Sequence, residues 1–116
     1  PEDEEQKRLT FAQAATGASG IETLLSLSLE LFHNDSLKLE TIIQALTSNP
    51  AKILKINKGN LSIGNEADFC IVDLEKPWIV KKENLVSKSK NTSIENKKLQ
   101  GKVINTFVKG KELFKL

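Results

Sequence analysis

The sequence is poor in the residues that build disulfides and metal centres. Its 116 residues include one cysteine, one histidine and no methionine. Cys70 has no partner for an internal disulfide, and one cysteine with one histidine cannot form a Cys/His zinc cluster. Because a nucleophilic serine or cysteine needs a base held beside it, and His33 is predicted to lie on the surface at a helix end, no catalytic triad is credible.

Long apolar runs and a strong excess of charge are also missing. No stretch approaches the roughly 18 apolar residues of a membrane span and no signal-like leader opens the chain, so we expect a cytoplasmic protein with no membrane partner. The net charge is only +2, and the lysines between residues 76 and 102 lack interleaved aromatic residues. A nucleic-acid partner is therefore not expected.

The remaining composition is that of a globular protein. Hydrophobic residues make up 39% and charged residues 28% of the chain, and the length suits one small domain. The chain opens at Pro1, without an initiator methionine, on an acidic run that has no periodic pattern. We therefore expect it to be a piece of a longer protein.

Helical periodicity dominates the first half of the sequence. Apolar residues recur at helical spacing and predict one helix over residues 21–33, with Ser19 or Gly20 as its N-cap. A second helical stretch is predicted over residues 39–54. It consists of one helix over about residues 39–46, which residues 47–50 end, and a short helix that restarts there, since proline suits a first helical position. Residues 1–20 show no period and predict a loop. Its small residues would either form a flexible connector or let another molecule approach the backbone closely.

Turn-forming clusters and apolar runs alternate in residues 59–74, GNLSIGNEADFCIVDL. This pattern predicts a strand at residues 61–63, a tight turn, and a buried strand at residues 69–72. Asp68 is expected to cap a turn with its carboxylate. Cys70, in the middle of the apolar run, is predicted to be an inert thiol in the core.

The last third of the chain predicts a hairpin after a long loop. Pro77 marks a break, and a short separate strand is predicted at residues 78–80. Residues 81–102 predict a long loop, which inside a compact domain usually has a function or covers another part of the protein. Strands over residues 103–108 and 112–116 then pair across a tight turn. The pattern as a whole predicts a small α+β module.

Six segments occur in an order that is more informative than any one of them. They are GASGIETLL (17–25), TSNPAKIL (47–54), KGNLSIGNEADFCIVD (58–73), Trp78, SKSKNT (87–92) and LQGKVINTFVKGKELF (99–114). This succession resembles the C-terminal quarter of a dihydroorotase, a cyclic amidohydrolase with a metal-bearing (β/α)8 barrel. The GxLxxGxxAD piece is shared with hydantoinases and allantoinases, whereas SKSKNT followed by LxGxV favours dihydroorotase.

The resemblance implies an architecture for the fragment. Residues 1–56 would be the end of the hydrolase barrel, with a substrate loop at residues 1–20 and helices over about 21–33 and 39–54. Residues 57–116 would be the C-terminal part of a small composite β-sandwich, which the missing N-terminal part of the same protein completes. The expected fold class is therefore α+β as a fragment. Unpaired strand edges would need that missing part or a second copy, so a homo-oligomer is also expected.

The resemblance also implies a chemistry, the reversible cyclisation of N-carbamoyl-L-aspartate to dihydroorotate in pyrimidine biosynthesis. Zinc, bound by the missing N-terminal part, would activate a water, and the aspartate of an Asp-His-x-Pro motif, whose proline Pro1 matches, would shuttle the proton. No catalytic residue and no metal ligand is expected within this chain, which would be inactive when isolated. Thr16 and Gly17 match a Pro-Gly-like pair whose backbone groups meet the small-molecule substrate. Glu2 stands where many family members have a histidine that helps hold the substrate's carboxylate.

Three other hypotheses remain open at this point. A non-catalytic relative of dihydroorotase would serve as a scaffold subunit for aspartate carbamoyltransferase, and Glu2 is compatible with that hypothesis because a glutamate there would repel an anionic ligand. Another cyclic amidase, an allantoinase or a hydantoinase, would share the GxLxxGxxAD piece. An unrelated small α+β binding module would fold alone as a monomer with no unpaired sheet edge.

Overall fold

A computed structural model describes residues 4–116, so the predictions for Pro1 and Glu2 lie outside the described residues. Helices come first and strands second. The elements are α1 (Glu4–Lys7), α2 (Leu24–His33), α3 (Leu39–Leu46), α4 (Ser48–Ile53), β1 (Phe69–Ile79), β2 (Lys98–Val108) and β3 (Lys111–Lys115), with a short 3-10 helix at Lys82–Asn84. The described part is therefore α+β, as the sequence predicted.

Helix α2 begins later than expected. Its N-cap is Thr23, not Ser19 or Gly20. The reason is tertiary, because the backbone N–H of Ser19 donates to the carbonyl of Asn91 at 2.7 Å. Ser19 is thereby held by a segment far along the chain and does not cap the helix.

The helical stretch predicted over residues 39–54 divides into α3 and α4, and the predicted break is confirmed. The division falls at Thr47, which ends one helix and precedes the next. Its hydroxyl donates to the carbonyl of Ile43 at 2.6 Å. Helix α3 packs against both α2 and α4, and α2 lies on β2.

The three strands form one antiparallel sheet in the order β1-β2-β3. The separate strand predicted at residues 78–80 is wrong, because Trp78 and Ile79 continue β1 and pair with β2. Pro77 lies at the end of an irregularity that begins after Asp73. A proline can stay within a strand at such a place because the ladder is already interrupted there.

The loop after β1 is shorter than predicted, and the hairpin after it is confirmed. β2 begins at Lys98, so the loop predicted over residues 81–102 ends five residues early. Val108 pairs with Lys111 across the turn between β2 and β3.

The strand predicted at residues 61–63 is wrong. The N–H of Ser62 donates to the side chain of Asn60 at 3.1 Å, and the N–H of Asn65 donates to the Ser62 carbonyl at 3.1 Å. An asparagine side chain that accepts a hydrogen bond from a nearby backbone N–H stabilises a turn, and this competes with the backbone hydrogen bonds of a β-strand.

The prediction of a buried strand around Cys70 is also wrong. Phe69 and Ile71 are 36% and 44% exposed, and the Cys70 thiol is exposed. Phe69 stacks on Phe107 of β2 with ring centroids 4.6 Å apart. The apolar run does form a strand, but nothing in the described part of the chain covers this end of it.

The core lies where α2 crosses the opposite end of the sheet. Leu29 and Val80 are fully buried and Leu99 is 4% exposed. The Ser26 hydroxyl donates to the Gly101 carbonyl at 2.6 Å, and the indole N–H of Trp78 donates to the same carbonyl at 3.2 Å. Gly101 thus joins the helix to both long strands.

His33 is half-buried at the end of α2, which differs from the surface position predicted. Its Nε2 is buried and has no hydrogen-bond partner among the described residues, and its ring lies 5.2 Å from that of Phe32. Across residues 4–116, no helix is long and apolar enough to cross a membrane.

Candidate functional site

The predicted substrate residues Thr16 and Gly17 lie in the loop between α1 and α2, and both are exposed. Gly17 has φ +89°, and a Cβ added there would meet no atom within 4 Å. A glycine is therefore favoured here by the left-handed backbone conformation, and not by close packing, since the surrounding space is open. Substrate contact at these residues stays a prediction, but the structure leaves their backbone accessible.

Helix α1 holds this loop on one side through three hydrogen bonds. The N–H of Ala15 donates to the carbonyl of Gln6 at 3.1 Å. The Lys7 ammonium donates to the carbonyls of Ala15 and Gly17 at 2.6 and 2.5 Å. Sequence reasoning missed Lys7, because a lysine in a charged, aperiodic run shows no signal for a contact across a loop.

The SKSKNT segment holds the loop on its other side. The Ser19 hydroxyl donates to the Ser89 carbonyl at 2.8 Å, close to the backbone bond between Ser19 and Asn91. The Asn91 side-chain amide lies 3.4 Å from the Gly17 carbonyl. The structure thus brings together two of the six segments that resembled dihydroorotase, GASGIETLL and SKSKNT.

Glu22 binds the backbone at the beginning of the SKSKNT segment. Its two carboxylate oxygens accept the backbone N–H groups of Val86 and Ser87, each at 3.0 Å. A cleft of about 410 Å³ opens here, lined by residues 18–23 together with Val86 and Ser87. Most of the surface that lines this cleft is apolar, and it includes the exposed side chains of Ile21 and Val86.

The described residues do not provide a ligand set for a metal ion. Within the described part of the chain, no three His, Cys, Asp or Glu side chains are grouped so that they could hold a metal ion. The residues present therefore do not fit a zinc site, and no metal-dependent step can be assigned to them.

Asp68 of the GxLxxGxxAD piece has a structural role. Lys58 forms ion pairs with Asp68, at 2.5 Å, and with Glu66. The other oxygen of Asp68 accepts the backbone N–H of Lys109 at 2.8 Å, in the turn between β2 and β3. Asp68 caps a turn as expected, but that turn lies some forty residues further along the chain.

The ion pairs shift the pKa values of all three side chains. The hydrogen bond from Lys58 lowers the pKa of Asp68, with help from the Lys109 N–H, and also lowers the pKa of Glu66. The same bonds, to Asp68 first and Glu66 second, raise the pKa of Lys58. A depressed carboxyl pKa stabilises the fold above the unfolded-state value, and this contribution is lost as the pH falls through the folded-state value.

We expect Asp68→Asn to lower the melting temperature at pH 7, by an amount on the order of one to a few degrees because the pair is exposed. The difference from the parent should begin to shrink as the pH falls below the ordinary pKa of an aspartate, about 4. It should disappear only below the lowered folded-state pKa of Asp68, where the carboxyl is protonated in the parent as well. Melting curves of both proteins across this range test it. Asp35→Asn is the matched control, because the Asp35 side chain has no hydrogen bond or ion pair among the described residues. A difference for Asp68→Asn that stayed constant with pH would contradict the ion-pair explanation.

Comparison with known proteins gives the family. The sequence model of the Amidohydrolase family matches residues 9–113, and the chain belongs to this family. Dihydroorotases are among the relatives it matches. It is 41% identical over 115 residues to that of Ehrlichia chaffeensis, covering 99% of this chain and 26% of the relative. It is 40% identical over 102 residues to that of Aquifex aeolicus, covering 88% of this chain and 24% of the relative.

Solved structures of hydantoinases share the fold. The L-hydantoinase of Arthrobacter aurescens matches with a TM-score of 0.83 and 30% identity, over 90% of this chain and 24% of that one. The dihydropyrimidinase of Brevibacillus agri matches with a TM-score of 0.91 and 20% identity, over 99% of this chain and 26% of that one. The resemblance to the C-terminal part of a dihydroorotase is thus confirmed, and the chain spans about a quarter of the length of its relatives.

Proposed function

We propose that this chain is the C-terminal part of a zinc-dependent dihydroorotase that acts in the cytoplasm. The reaction is the reversible cyclisation of N-carbamoyl-L-aspartate to dihydroorotate in pyrimidine biosynthesis. The observation that supports it most is the 41% identity to a dihydroorotase over nearly the whole chain. The 30% identity to an L-hydantoinase favours that class as the second candidate.

The proposed division of the chain is the one implied by the resemblance. Residues 1–56 end the hydrolase barrel, and residues 57–116 belong to the small β-sandwich. Many apolar side chains are exposed to solvent in this chain. Their number supports the proposal that a large surface of the chain contacts another part of the protein, since isolated domains rarely expose so many. Those that are more than two-thirds exposed are Phe11, Ile21, Ile53, Leu54, Leu61, Ile63, Val86 and Leu113.

The partner proposed for this surface is the rest of the same protein. β1 and β3 are the edge strands of the three-stranded sheet, and open edges tend to pair with further strands. A homo-oligomer is proposed in addition, since a second copy can cover the apolar surface that remains.

The role proposed for residues 1–20, of which Glu4–Lys7 form α1, is to bind the substrate. Thr16 and Gly17 would present backbone groups to it, which their exposure supports. Zinc is proposed to be bound by the part of the protein outside this chain, because the described residues do not provide a ligand set. This chain would contribute substrate binding and scaffold.

Hydrolysis of dihydroorotate by the longer protein that contains this chain tests the proposal, with the 116-residue chain as the control. The longer protein with added zinc should hydrolyse dihydroorotate, lose this activity in a chelator and regain it with zinc. The isolated chain should show none. A preference for hydantoin or allantoin would favour another cyclic amidase. An inactive longer protein that copurifies with aspartate carbamoyltransferase would favour the scaffold hypothesis.

A further inference from the structure

The Lys7 ammonium bridges two carbonyls on either side of Thr16. It donates to Ala15 at 2.6 Å and to Gly17 at 2.5 Å. These carbonyls belong to alternate peptide units of the exposed loop, and Asn91 approaches the second of them from the opposite element. An ammonium has three donors and accepts nothing, so two of its three donors are used on the backbone of one short segment.

This bridge determines where the intervening N–H groups point. In a planar trans peptide, the C=O and the N–H of the next residue point in opposite directions. Because the carbonyls of Ala15 and Gly17 face Lys7, the N–H groups of Thr16 and Ala18 face away from it. Neither N–H has a hydrogen-bond partner among the described residues. Two backbone N–H groups that point to one side form a receptor for an anion or a carbonyl oxygen.

We propose that Lys7 is a positioning residue, which holds the N–H groups of Thr16 and Ala18 toward an acceptor group of the substrate. This rests on the proposed function, and the acceptor is a carboxylate or a ring carbonyl oxygen. Gly17 makes the positioning necessary: its backbone conformation is one that other residues rarely adopt, and glycine has the greatest freedom to leave it. Without the ammonium, the two N–H groups would no longer be held on the side of the loop opposite to Lys7.

Three variants of the longer protein test the proposal. Lys7→Met removes the donors and keeps most of the apolar stem, whereas Lys7→Arg keeps donors and charge. Lys52→Met is the matched control, because the Lys52 side chain is exposed on α4 and has no hydrogen bond among the described residues. We expect Lys7→Met to lower kcat/KM for dihydroorotate about 10- to 50-fold, mostly through KM, as expected when a binding contact is lost. Lys7→Arg should recover most of this loss, and Lys52→Met should stay within about twofold of the parent.

Ionic strength separates positioning from simple attraction of an anion. If Lys7 acted only as a nearby charge, the loss in Lys7→Met would fade at about 1 M salt, where screening reaches about 3 Å. Positioning predicts that the loss persists, because the hydrogen bonds to the carbonyls are lost at any salt concentration. A loss that disappears at high salt would overturn the proposal.

Hydrogen exchange gives a readout that does not need activity. Amides of residues 14–19 should exchange at least about fivefold faster in Lys7→Met than in the parent, and at the parent's rate in Lys52→Met. Unchanged exchange in Lys7→Met would overturn the positioning role. A parent without dihydroorotate hydrolysis would instead refute the proposed function, and the exchange rates would then decide by themselves whether Lys7 holds the loop.

Discussion

Gly101→Ala is expected to lower the local free energy of unfolding by roughly 2–5 kcal/mol, the sum of backbone strain and overpacking. Gly101 has φ +93°, and an added Cβ would lie well inside 3.0 Å of a methyl of Leu29. Leu29 is fully buried and cannot turn into solvent. Because Ser26 and Trp78 both donate to the Gly101 carbonyl, a shift of this residue would also disturb the contact between α2 and the sheet.

Protection of the β2 amides against hydrogen exchange in the longer protein measures this effect. Gly110→Ala is the matched control. It has φ +74°, but its added Cβ would approach Ala67 at an ordinary 4.0 Å. We expect the control to cost about 1–2 kcal/mol from backbone strain. Equal losses in the two variants would show that the helix does not constrain Gly101.

Gly59→Ala is expected to lower the local free energy of unfolding by roughly 2–4 kcal/mol. The change would disturb the contact between the turn that contains Gly59, which precedes β1, and the helices α3 and α4. Gly59 has φ +74°, and its added Cβ would lie 2.9 Å from the carbonyl carbon and oxygen of Thr47. These atoms are backbone at the junction of α3 and α4, so no rotation of a side chain can relieve the clash. The helices or the turn would have to move.

Gly64→Ala is the control that separates the steric clash with Thr47 from the backbone strain of a positive φ. Gly64 belongs to the same GxLxxGxxAD piece and has φ +93°, yet an added Cβ would meet no atom within 4 Å. We expect this variant to cost only about 1–2 kcal/mol. Exchange of the α3 and α4 amides should accelerate much more in Gly59→Ala than in Gly64→Ala. The same rates in both would mean that the contact with Thr47 is not close in solution.

Several predictions from sequence succeeded because they depend on neighbours along the chain. The helical stripes, the break at Thr47 and the final hairpin were all predicted from spacing and turn residues. The prediction failed at residues 61–63, where side-chain bonds of Asn60 replace the ladder. It also failed at Cys70, because burial depends on what covers a strand, which its own pattern does not contain.

The candidate site was predicted in part. Thr16 and Gly17 came from matching a family motif, and the structure shows them exposed in a loop. The bonds that hold this loop were not predictable, since Ser19 meets Ser89 and Glu22 meets Val86 across more than sixty residues. The residues around each partner show no sequence pattern that predicts such a contact, because the local conformation of each segment does not depend on the other segment.

The sequence by itself determined the helices α2 to α4, the final hairpin, the order of the motifs and the family. Apolar side chains spaced by the period of a helix or strand share one face, and glycine and proline limit the backbone wherever they occur. Only the tertiary structure decided why Gly101 must be glycine, where α2 begins, and that Lys7 orients the loop around Gly17. These depend on atoms brought together by folding, and distance in space is not encoded by distance along the chain.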